Sequence, residues 1–227
     1  MPRTIFVFAD SALELIPTKI AKMELIKKHA KKKGKLPSQI LLDSSYHYKA
    51  MLKLKDSQKR GRPDILHFCL LNLLGSPLVL DKSNPVTIIV HTIRNEIFVI
   101  NQETRLPRNY NRFVGLIEQF LVNREIKSKD KVLLNMLDTT LEVEIKDIPE
   151  KNRFLFSSKG SLVNLSNQFK AYSDKDIAII VGAYPHGSFS DLILKMSKNI
   201  YSIHPKPLDA WIVLNKIVFS RELTLSQ

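Results

Sequence analysis

The sequence predicts an α/β domain built on a largely parallel sheet with helices on both faces. Short runs rich in β-branched and aromatic residues, typical of buried strands, alternate with longer segments in which apolar residues recur at helical spacing. The chain has 227 residues and is 44% hydrophobic, enough for one sizeable domain, and it shows no internal repeat, low-complexity tract or long linker. We therefore expect a single domain over residues 1–227.

The strands are predicted in chain order at residues 4–8, 86–91, 97–100, 141–145, 153–156, 177–181 and 200–203, with 97–100 and 141–145 interpreted as parts of insertions. The helices are predicted at residues 17–33, 46–54, 63–74, 109–122, 190–197 and 208–220. The helix over 63–74 is apolar almost all the way round, so we expect it to be buried. Its His67 and Cys69 are accordingly interpreted as core residues rather than as ligands or nucleophiles.

Charge and cysteine content narrow the classes of function. A formal net charge of +13 and a pI near 9.7 predict binding to a polyanion, and nucleic acid is favoured over an anionic membrane. The single cysteine excludes an internal disulfide framework and a multi-cysteine zinc site, and no metal site is expected. The apolar stretch at the N-terminus is interrupted by Asp10 and Glu14, too soon for a signal peptide. We therefore expect a cytoplasmic protein without a membrane partner.

Three arginines, Arg105, Arg108 and Arg112, crowd the stretch 102-QETRLPRNYNRF-113 where a helix is predicted to begin. Extra cations at a helix N-terminus are unfavourable by roughly 0.3–1 kcal/mol each. Because this end of a helix binds anions and guanidinium groups form bidentate phosphate contacts, the stretch is interpreted as a grip on a nucleic acid backbone. A solvated basic loop is the alternative. Pro107 suits the first turn of the helix, in which case Arg108 and Arg112 share one face.

A second basic run, 27-KKHAKKKGK-35, ends the first predicted helix, with Gly34 as its C-terminal stop. Two interpretations stay open. The cations can remain solvated while they complement the helix dipole, or they can contact phosphates of a nucleic acid.

The stretch 60-RGRPDILH-67 places Asp64 in the first turn of a helix, two residues after Arg62. A carboxylate is stabilised in that turn, and Pro63 restricts the backbone between the two side chains. Asp64 can therefore hold Arg62 in one pose, although an ordinary carboxylate at a helix start explains the same pattern.

Two segments near the C-terminus predict a ligand site. In 177-IAIIVGAYPHGSFSD-191 a buried strand runs into Gly182 and Gly187 and then into a helix, and parallel sheets bind ligands beyond such strand ends. His186 between these glycines is interpreted as structural or merely exposed. In 199-NIYSIHPKPLDAW-211, Pro205 and Pro207 stiffen a loop that would form a wall for a flat ligand such as adenine. Neither segment is a phosphate loop or a dinucleotide fingerprint, which argues against a nucleotide hydrolase.

Seven motifs occur in order along nearly the whole chain: ALELIP, LLDSSYHY, GRPD-x-x-H, SPL, TRLPR-x-x-x-RF-x-GL, VGA-x-x-HG and PL-x-A. With these motifs the sequence resembles the ribosome-biogenesis pseudouridine N(1)-methyltransferases of the SPOUT (α/β trefoil-knot) class, which act on small-subunit ribosomal RNA. The resemblance implies a homodimer, family-specific insertions and a deep C-terminal knot. It also implies that S-adenosyl-L-methionine binds in the knotted portion, at residues 151–222. The compact length is similar to that of archaeal members, which again suggests the cytoplasm.

Carried over residue by residue, the family's cofactor positions fall on Ser157, Gly182, Gly187, Ile203, His204, Pro205, Lys206, Pro207 and Leu208. Its RNA-contacting arginines fall on Arg62, Arg105, Arg108 and Arg112. Asp64 matches the acid that holds the first arginine. Arg62 and Asp64 are thus the catalytic candidates, with Asp64 either supporting Arg62 or removing the N(1) proton. The family loop often reads S-I-S-N-Y-P-L where this chain has SIHPKPL, so main-chain contacts to the cofactor are expected there.

Together these observations predict an S-adenosylmethionine-dependent methyltransferase whose partner is small-subunit ribosomal RNA. Further ribosome-assembly proteins are candidate partners. A non-catalytic basic assembly factor that binds ribosomal RNA and keeps the fold as a scaffold is the alternative.

Overall fold

The computed structural model describes residues 2–225, so Met1, Ser226 and Gln227 of the predicted domain lie outside the described residues. The strands are β1 (Thr4–Ser11), β2 (Val86–Thr92), β3 (Ile97–Ile100), β4 (Glu125–Ser128), β5 (Lys131–Leu137), β6 (Arg153–Leu162), β7 (Ile177–Gly182) and β8 (Asn199–Ser202). The α-helices are α1 (Thr18–Ala21), α2 (Glu24–Lys33), α3 (Ser44–Met51), α4 (Pro63–Leu74), α5 (Pro77–Leu80), α6 (Tyr110–Asn123), α7 (Leu141–Glu144), α8 (Leu165–Lys170), α9 (Asp191–Leu194) and α10 (Ala210–Leu225). Single 3₁₀ turns occur at Pro37–Gln39, Ser57–Lys59 and Glu150–Asn152.

All the strands join one 8-stranded sheet in the order β4-β5-β3-β2-β1-β7-β6-β8. From β2 to β8 in that order neighbouring strands run parallel. At the other edge β3, β5 and β4 add an antiparallel extension. The carboxyl ends of β7 and β8 therefore lie beside the middle of β6, on the side of the sheet where parallel sheets bind ligands.

Both faces of the sheet are covered, as the sequence predicts. Along β1 the side chains alternate between faces, because successive residues of a strand point in opposite directions. Phe6 and Phe8 join a core that also contains residues of α4, α6 and α10. Ile5 and Val7 join a second core with residues of α7 and α9. A smaller apolar cluster lies among α1, α2 and α3.

The strand predicted at 141–145 is wrong. These residues begin a helical turn, α7, because the Oγ1 of Thr140 accepts a hydrogen bond from the main-chain N–H of Val143 at 3.4 Å. Glu142 and Glu144 lie in the first turn, where carboxylates are favoured. Local capping therefore prevails over the alternating apolar pattern that predicted a strand.

Two further differences concern segment boundaries and missing elements. The helix predicted over 17–33 is divided into α1 and α2, since Met23 is extended with a ψ of 140°. Gly34 ends α2 with a φ of +61°, which confirms the predicted C-terminal stop. The hairpin of β4 and β5 was not predicted, because the sequence of Lys131–Leu137 lacks the clean alternation of a half-buried strand.

The second half of β6 also contacts β8. Phe156 pairs with Tyr201, and after an irregularity Leu162 pairs with Ser202. A Cβ placed on Gly160 would lie 2.6 Å from the backbone of Ile200, so this close approach requires glycine. The crossing lies within residues 151–222, the portion for which a knot is predicted. In the part of the chain that the structure describes, no helix is long and apolar enough to cross a bilayer.

Candidate functional site

A cleft of about 330 Å³ opens at the carboxyl ends of β7 and β8, beside the middle of β6. Its lining comes from residues 156–158 within β6, from the ends of β7 and β8 with the turns after them, and from the start of α10. Eight of the predicted cofactor residues line it: Ser157, Gly182, Gly187, Ile203, His204, Lys206, Pro207 and Leu208. Pro205 lies in the same loop but outside the lining. The exposed His186 also lines the cleft.

The backbone at Gly182 borders the cleft without a side chain. A Cβ at this position would lie 2.7 Å from Cε1 of Tyr184 and 3.2 Å from the ring of Phe189, so a larger residue would displace these rings. Ile203 and Leu208 add partly buried apolar surface on the loop after β8. Main-chain groups beside apolar walls suit a ligand that has a flat apolar body and a hydrogen-bonding edge.

The SIHPKPL loop is held in shape by its own side chains. The Oγ of Ser202 donates to the carbonyl of His204 at 2.8 Å. Nδ1 of His204 accepts from the main-chain N–H of Lys206 at 3.1 Å. Because the His204 ring is engaged within the loop, its contribution to the cleft lies mainly in the shape that it gives to the backbone.

Lys59, three residues before Arg62, contacts the turn after β7 and so links this turn to the segment that carries Arg62. Its Nζ donates to the carbonyl of Ser188 at 2.5 Å and lies 4.5 Å from the ring centroid of Tyr184. The same ammonium lies 3.5 Å from the buried carboxylate of Asp10. Asp10 in turn accepts from the main-chain N–H of Ser190 at 2.6 Å and from its hydroxyl at 2.9 Å. Burial, and then the nearby Asp10, raise the pKa of Tyr184, so this residue stays a neutral phenol.

Two bidentate ion pairs fix the RGRPD segment. The fully buried Glu14 accepts from Nε of Arg60 at 2.6 Å and from its Nη2 at 2.5 Å. Asp64 accepts from Nε and Nη2 of Arg62, both at 2.8 Å. This second pairing is the one expected from the sequence, and it raises the pKa of the Arg62 guanidinium. Charge-assisted fork contacts of this kind fix orientation as well as adding energy.

The arginine stretch before α6 is attached to α4 through His67. The ring of His67 stacks on Phe113 at 4.1 Å between centroids, and its Nε2 donates to the carbonyl of Pro107 at 2.8 Å. Burial lowers the pKa of His67, which is therefore neutral. His67 is a core residue as predicted, and it also positions the backbone between Arg105 and Arg108. The buried thiol of Cys69 has a raised pKa for the same physical reason and is inert.

The helix begins within one residue of its predicted start at Asn109. Asn109 caps it by accepting from the main-chain N–H of Arg112 at 3.2 Å, and the first helical residue is Tyr110. Pro107 and Arg108 therefore precede the helix, so the condition under which Arg108 and Arg112 would share a helical face is not met. All three arginines of the stretch are exposed, and within residues 2–225 none of them forms an ion pair.

The Arg62–Asp64 pair borders a second, open cavity of about 430 Å³, and Tyr110 lies on its other side. Ser44, Ser45 and Tyr48 complete the lining. The hydroxyl of Tyr110 donates to Oδ2 of Asp43 at 2.6 Å, which fixes the start of α6 against the start of α3. The start of α6, at the end of the arginine stretch, thus lies beside Arg62.

Sequence reasoning missed the residues that attach these parts to one another. Glu14 and Asp10 appeared only as interruptions of an apolar stretch, although a carboxylate inside such a stretch is itself a signal of a buried ion pair. Lys59 carries no comparable signal, since its partners lie far away along the chain. Among the described residues, no three His, Cys, Asp or Glu side chains cluster in a way that could hold a metal ion.

The comparison with known proteins fits this geometry. A family described as EMG1/NEP1 methyltransferase matches residues 6–222. The chain belongs to the EMG1/NEP1 methyltransferase family. A family member from Thermococcus sibiricus, named ribosomal RNA small subunit methyltransferase Nep1, is 43% identical over 220 residues, which cover 96% of this chain and 97% of that protein. A protein of the same name from Staphylothermus marinus is 40% identical over 217 residues, 95% of this chain and 94% of that one.

A solved structure of the EMG1/NEP1 family shows the same fold. The crystal structure of Archaeoglobus fulgidus Nep1 bound to S-adenosylhomocysteine has a TM-score of 0.89 to this chain, at 37% sequence identity, and covers 99% of both chains. The mostly parallel, helix-covered sheet described above is therefore the fold of this family.

Proposed function

We propose that this protein transfers the methyl group of S-adenosyl-L-methionine to N(1) of a pseudouridine in small-subunit ribosomal RNA. The observation that carries the proposal is the tether between two sites, in which Lys59 attaches the cleft to the segment that presents Arg62. Support comes from the names of relatives that match almost the whole chain, and from the S-adenosylhomocysteine bound to the similar Nep1 structure.

The cleft fits the cofactor in size and in chemistry. Its volume lies in the range of small-molecule sites, and its lining combines bare main chain with apolar walls. Ser157, Gly182, Gly187 and the loop of residues 203–208 would hold S-adenosyl-L-methionine. When bound, this group supplies a methyl on a positively charged sulfur, which needs no further activation by the protein.

The chain's own residues position the RNA. Arg105, Arg108 and Arg112 are exposed and unpaired within residues 2–225, so they are available to the phosphates that flank the target. An unstacked nucleotide has to leave its loop to react, and cations on both sides hold the strand while it does so. Arg62 contacts the target nucleotide in this proposal, and its orientation is set by Asp64. Correct placement of the two reacting atoms supplies several kcal/mol of the rate enhancement.

We assign Asp64 a positioning role rather than that of a base. Both of its carboxylate oxygens already accept hydrogen bonds from Arg62, so the carboxylate is engaged in holding the guanidinium. In pseudouridine the sugar is attached through carbon, so N(1) carries a proton that must leave when the methyl group is transferred. In this proposal that proton passes to solvent rather than to Asp64.

Methyl transfer to a stem-loop tests this function. The purified protein and labelled S-adenosyl-L-methionine are incubated with an RNA stem-loop that carries pseudouridine, and in parallel with the same RNA that carries uridine. Transfer to the first RNA and none to the second is expected, because N(1) of uridine is occupied by the sugar. Equal labelling of both RNAs would contradict the proposed target. RNA binding without transfer, together with no binding of the cofactor, would favour the scaffold function.

We further infer a homodimer. Phe68 on α4 is 48% exposed and packs against Trp211 with ring centroids 5.3 Å apart. On α10, Phe219 is 60% and Leu223 is 46% exposed. A concentration of large exposed apolar residues on two contacting helices is typical of a subunit interface. The trefoil knot within residues 151–222, a cytoplasmic location and additional assembly-protein partners stay predictions.

A further inference from the structure

A third cavity, of about 460 Å³, lies outside both sites described above, between α2, α3 and α6. Its lining combines apolar side chains, aromatic rings and lysines: Leu25, Lys28, His29, Lys32, Lys33, Leu41, Asp43, Tyr46, Tyr110, Asn111 and Val114. Tyr46 is 55% exposed, and its ring lies 4.9 Å from that of His29 between centroids. The cavity therefore presents two flat rings to a ligand, next to an amide side chain and a row of cations.

The hydrogen bonds fix which ring nitrogen of His29 carries a proton. Nδ1 of the buried His47 accepts from the main-chain N–H of Asp43 at 3.0 Å, so its Nε2 carries the proton. That Nε2 lies 2.7 Å from Nδ1 of His29 and donates to it. His29 consequently carries its proton on Nε2, which has no hydrogen-bond partner within residues 2–225. The ring at the cavity wall can thus donate one hydrogen bond to a ligand.

The lysines around the cavity divide into two groups. Lys33 and Lys35 are paired with the buried Glu118, at 3.0 and 2.7 Å, and this contact holds α2 against α6. Lys28 and Lys32, one turn apart on α2, are exposed and form no ion pair within residues 2–225. The rim of the cavity therefore carries two cations available for an anionic ligand.

The cavity adjoins the surface that is assigned to the target nucleotide. Tyr110 lines both this cavity and the one beside Arg62 and Asp64. On α3, Tyr48 faces the Arg62 side and Tyr46 faces the third cavity. The two cavities thus share Tyr110 and both take lining residues from α3, so nucleotides bound at Arg62 and at Tyr46 would occupy adjoining sites.

We propose that this cavity receives an unpaired base of the same RNA, close to the target nucleotide, stacked against Tyr46 and His29. Lys28 and Lys32 contact the phosphate beside that base. The identity of the RNA rests on the proposed function. Aromatic stacking surfaces that are combined with cations are the usual way in which proteins bind unpaired nucleotides, and such stacking tolerates any base. This assigns the 27-KKHAKKKGK-35 run to RNA contact on one face of α2.

Matched variants test the inference. Affinity is measured by fluorescence anisotropy on the uridine form of the stem-loop, without cofactor, so that binding is separated from methyl transfer. Tyr46→Ala is expected to weaken binding about tenfold, and Tyr46→Phe to restore it, because phenylalanine keeps the stacking face. The double variant K28A/K32A is expected to weaken binding more than K27A/K31A. The two pairs remove the same charge from one helix, but Lys27 and Lys31 do not line the cavity.

A second readout reports stacking directly. The stem-loop is labelled with 2-aminopurine at one loop position at a time. Fluorescence quenching is expected at one position with the wild-type protein, and its loss with Tyr46→Ala. Equal losses of affinity in the two lysine pairs, or unchanged quenching in Tyr46→Ala, would overturn the inference. Binding at this surface would then be explained by ordinary charge attraction, or the surface would bind a partner of another class. Pseudouridine methylation by the wild-type protein is followed in parallel, so its absence would overturn the proposed function alone.

Discussion

The ammonium group of Lys59 lies 4.5 Å from the ring centroid of Tyr184, and this contact joins the cleft to the segment that carries Arg62. Through this contact and its bond to the carbonyl of Ser188, the segment before Arg62 holds the turn after β7. A cofactor that binds in the cleft meets a turn already held in place, so little ordering of the loop opposes binding.

Replacing Lys59 by Met should loosen that turn. The hydrogen bond and the cation–π contact each contribute about 1 kcal/mol, so we expect Lys59→Met to weaken S-adenosylhomocysteine binding by up to roughly thirtyfold. Isothermal titration calorimetry measures the change. Lys55→Met is the matched control, because Lys55 is exposed and its side chain forms no ion pair in the described part of the chain. Equal affinities of the two variants would mean that the tether does not preorganise the cleft.

Arg108→Ala and Gly182→Val should separate the two sites. Arg108 is exposed before α6, so its removal should reduce RNA affinity by about fivefold and leave cofactor affinity unchanged. A valine at position 182 would push into Tyr184 and Phe189, and cofactor affinity should fall more than tenfold while RNA binding stays intact. Calorimetry and anisotropy on both variants provide the check. Parallel losses of both affinities would show that the sites are not separate.

The parallel core of the sheet was predictable because each of its strands contains a short apolar run that local sequence identifies. Buried runs such as Ile177–Gly182 have no polar interruption, so their strands are identified without tertiary information. The α7 turn was not predictable from its apolar alternation, because a single Thr140 cap decides between helix and strand. β4 lies at the edge of the sheet and β5 pairs with both β4 and β3, so the positions of these strands depend on tertiary pairing that no local pattern shows.

The site was predictable where it depends on neighbours in sequence. Asp64 lies two residues from Arg62, and its pairing follows from the helix start between them. The contact of His67 with Pro107 and that of Lys59 with Ser188 join distant segments, and no local pattern signals either. The contact between the rings of His29 and Tyr46 was likewise not predictable from local sequence, because it forms only when α2 and α3 pack together.

RNA binding should depend steeply on salt. If Arg62, Arg105, Arg108 and Arg112 each neutralise one phosphate of a single-stranded loop, the logarithm of the binding constant should fall with the logarithm of salt concentration with a slope near −3, at roughly 0.7 per contact. Anisotropy titrations between low and moderate salt measure the slope. Arg105→Ala should make it shallower by about 0.7. A slope near zero would show that these arginines do not bind RNA phosphates.

Asp64→Asn distinguishes a positioning residue from a base. The amide keeps the shape of the carboxylate but loses the second charge-assisted bond to Arg62, so RNA affinity and kcat/KM should fall about tenfold. The pH dependence of kcat should keep the shape that it has in the wild-type protein. Loss of a general base would instead lower kcat by roughly 10²–10⁴-fold and remove one limb of the pH profile. Methyl-transfer kinetics from about pH 5.5 to about pH 9 separate these outcomes.

His47 should make the fold less stable in acid. Burial, and then the neighbouring His29, lower its pKa from 6.5 to about 4. Between these values the unfolded chain binds a proton that the folded protein does not, so the free energy of unfolding should fall as the pH drops from about 6.5 to about 4. The loss amounts to at most about 3 kcal/mol and is complete below the lower value. Urea denaturation of the wild-type protein and His47→Gln across this range measures it. The wild type should show the steeper pH dependence, because glutamine does not titrate, and parallel curves would contradict the assignment to His47.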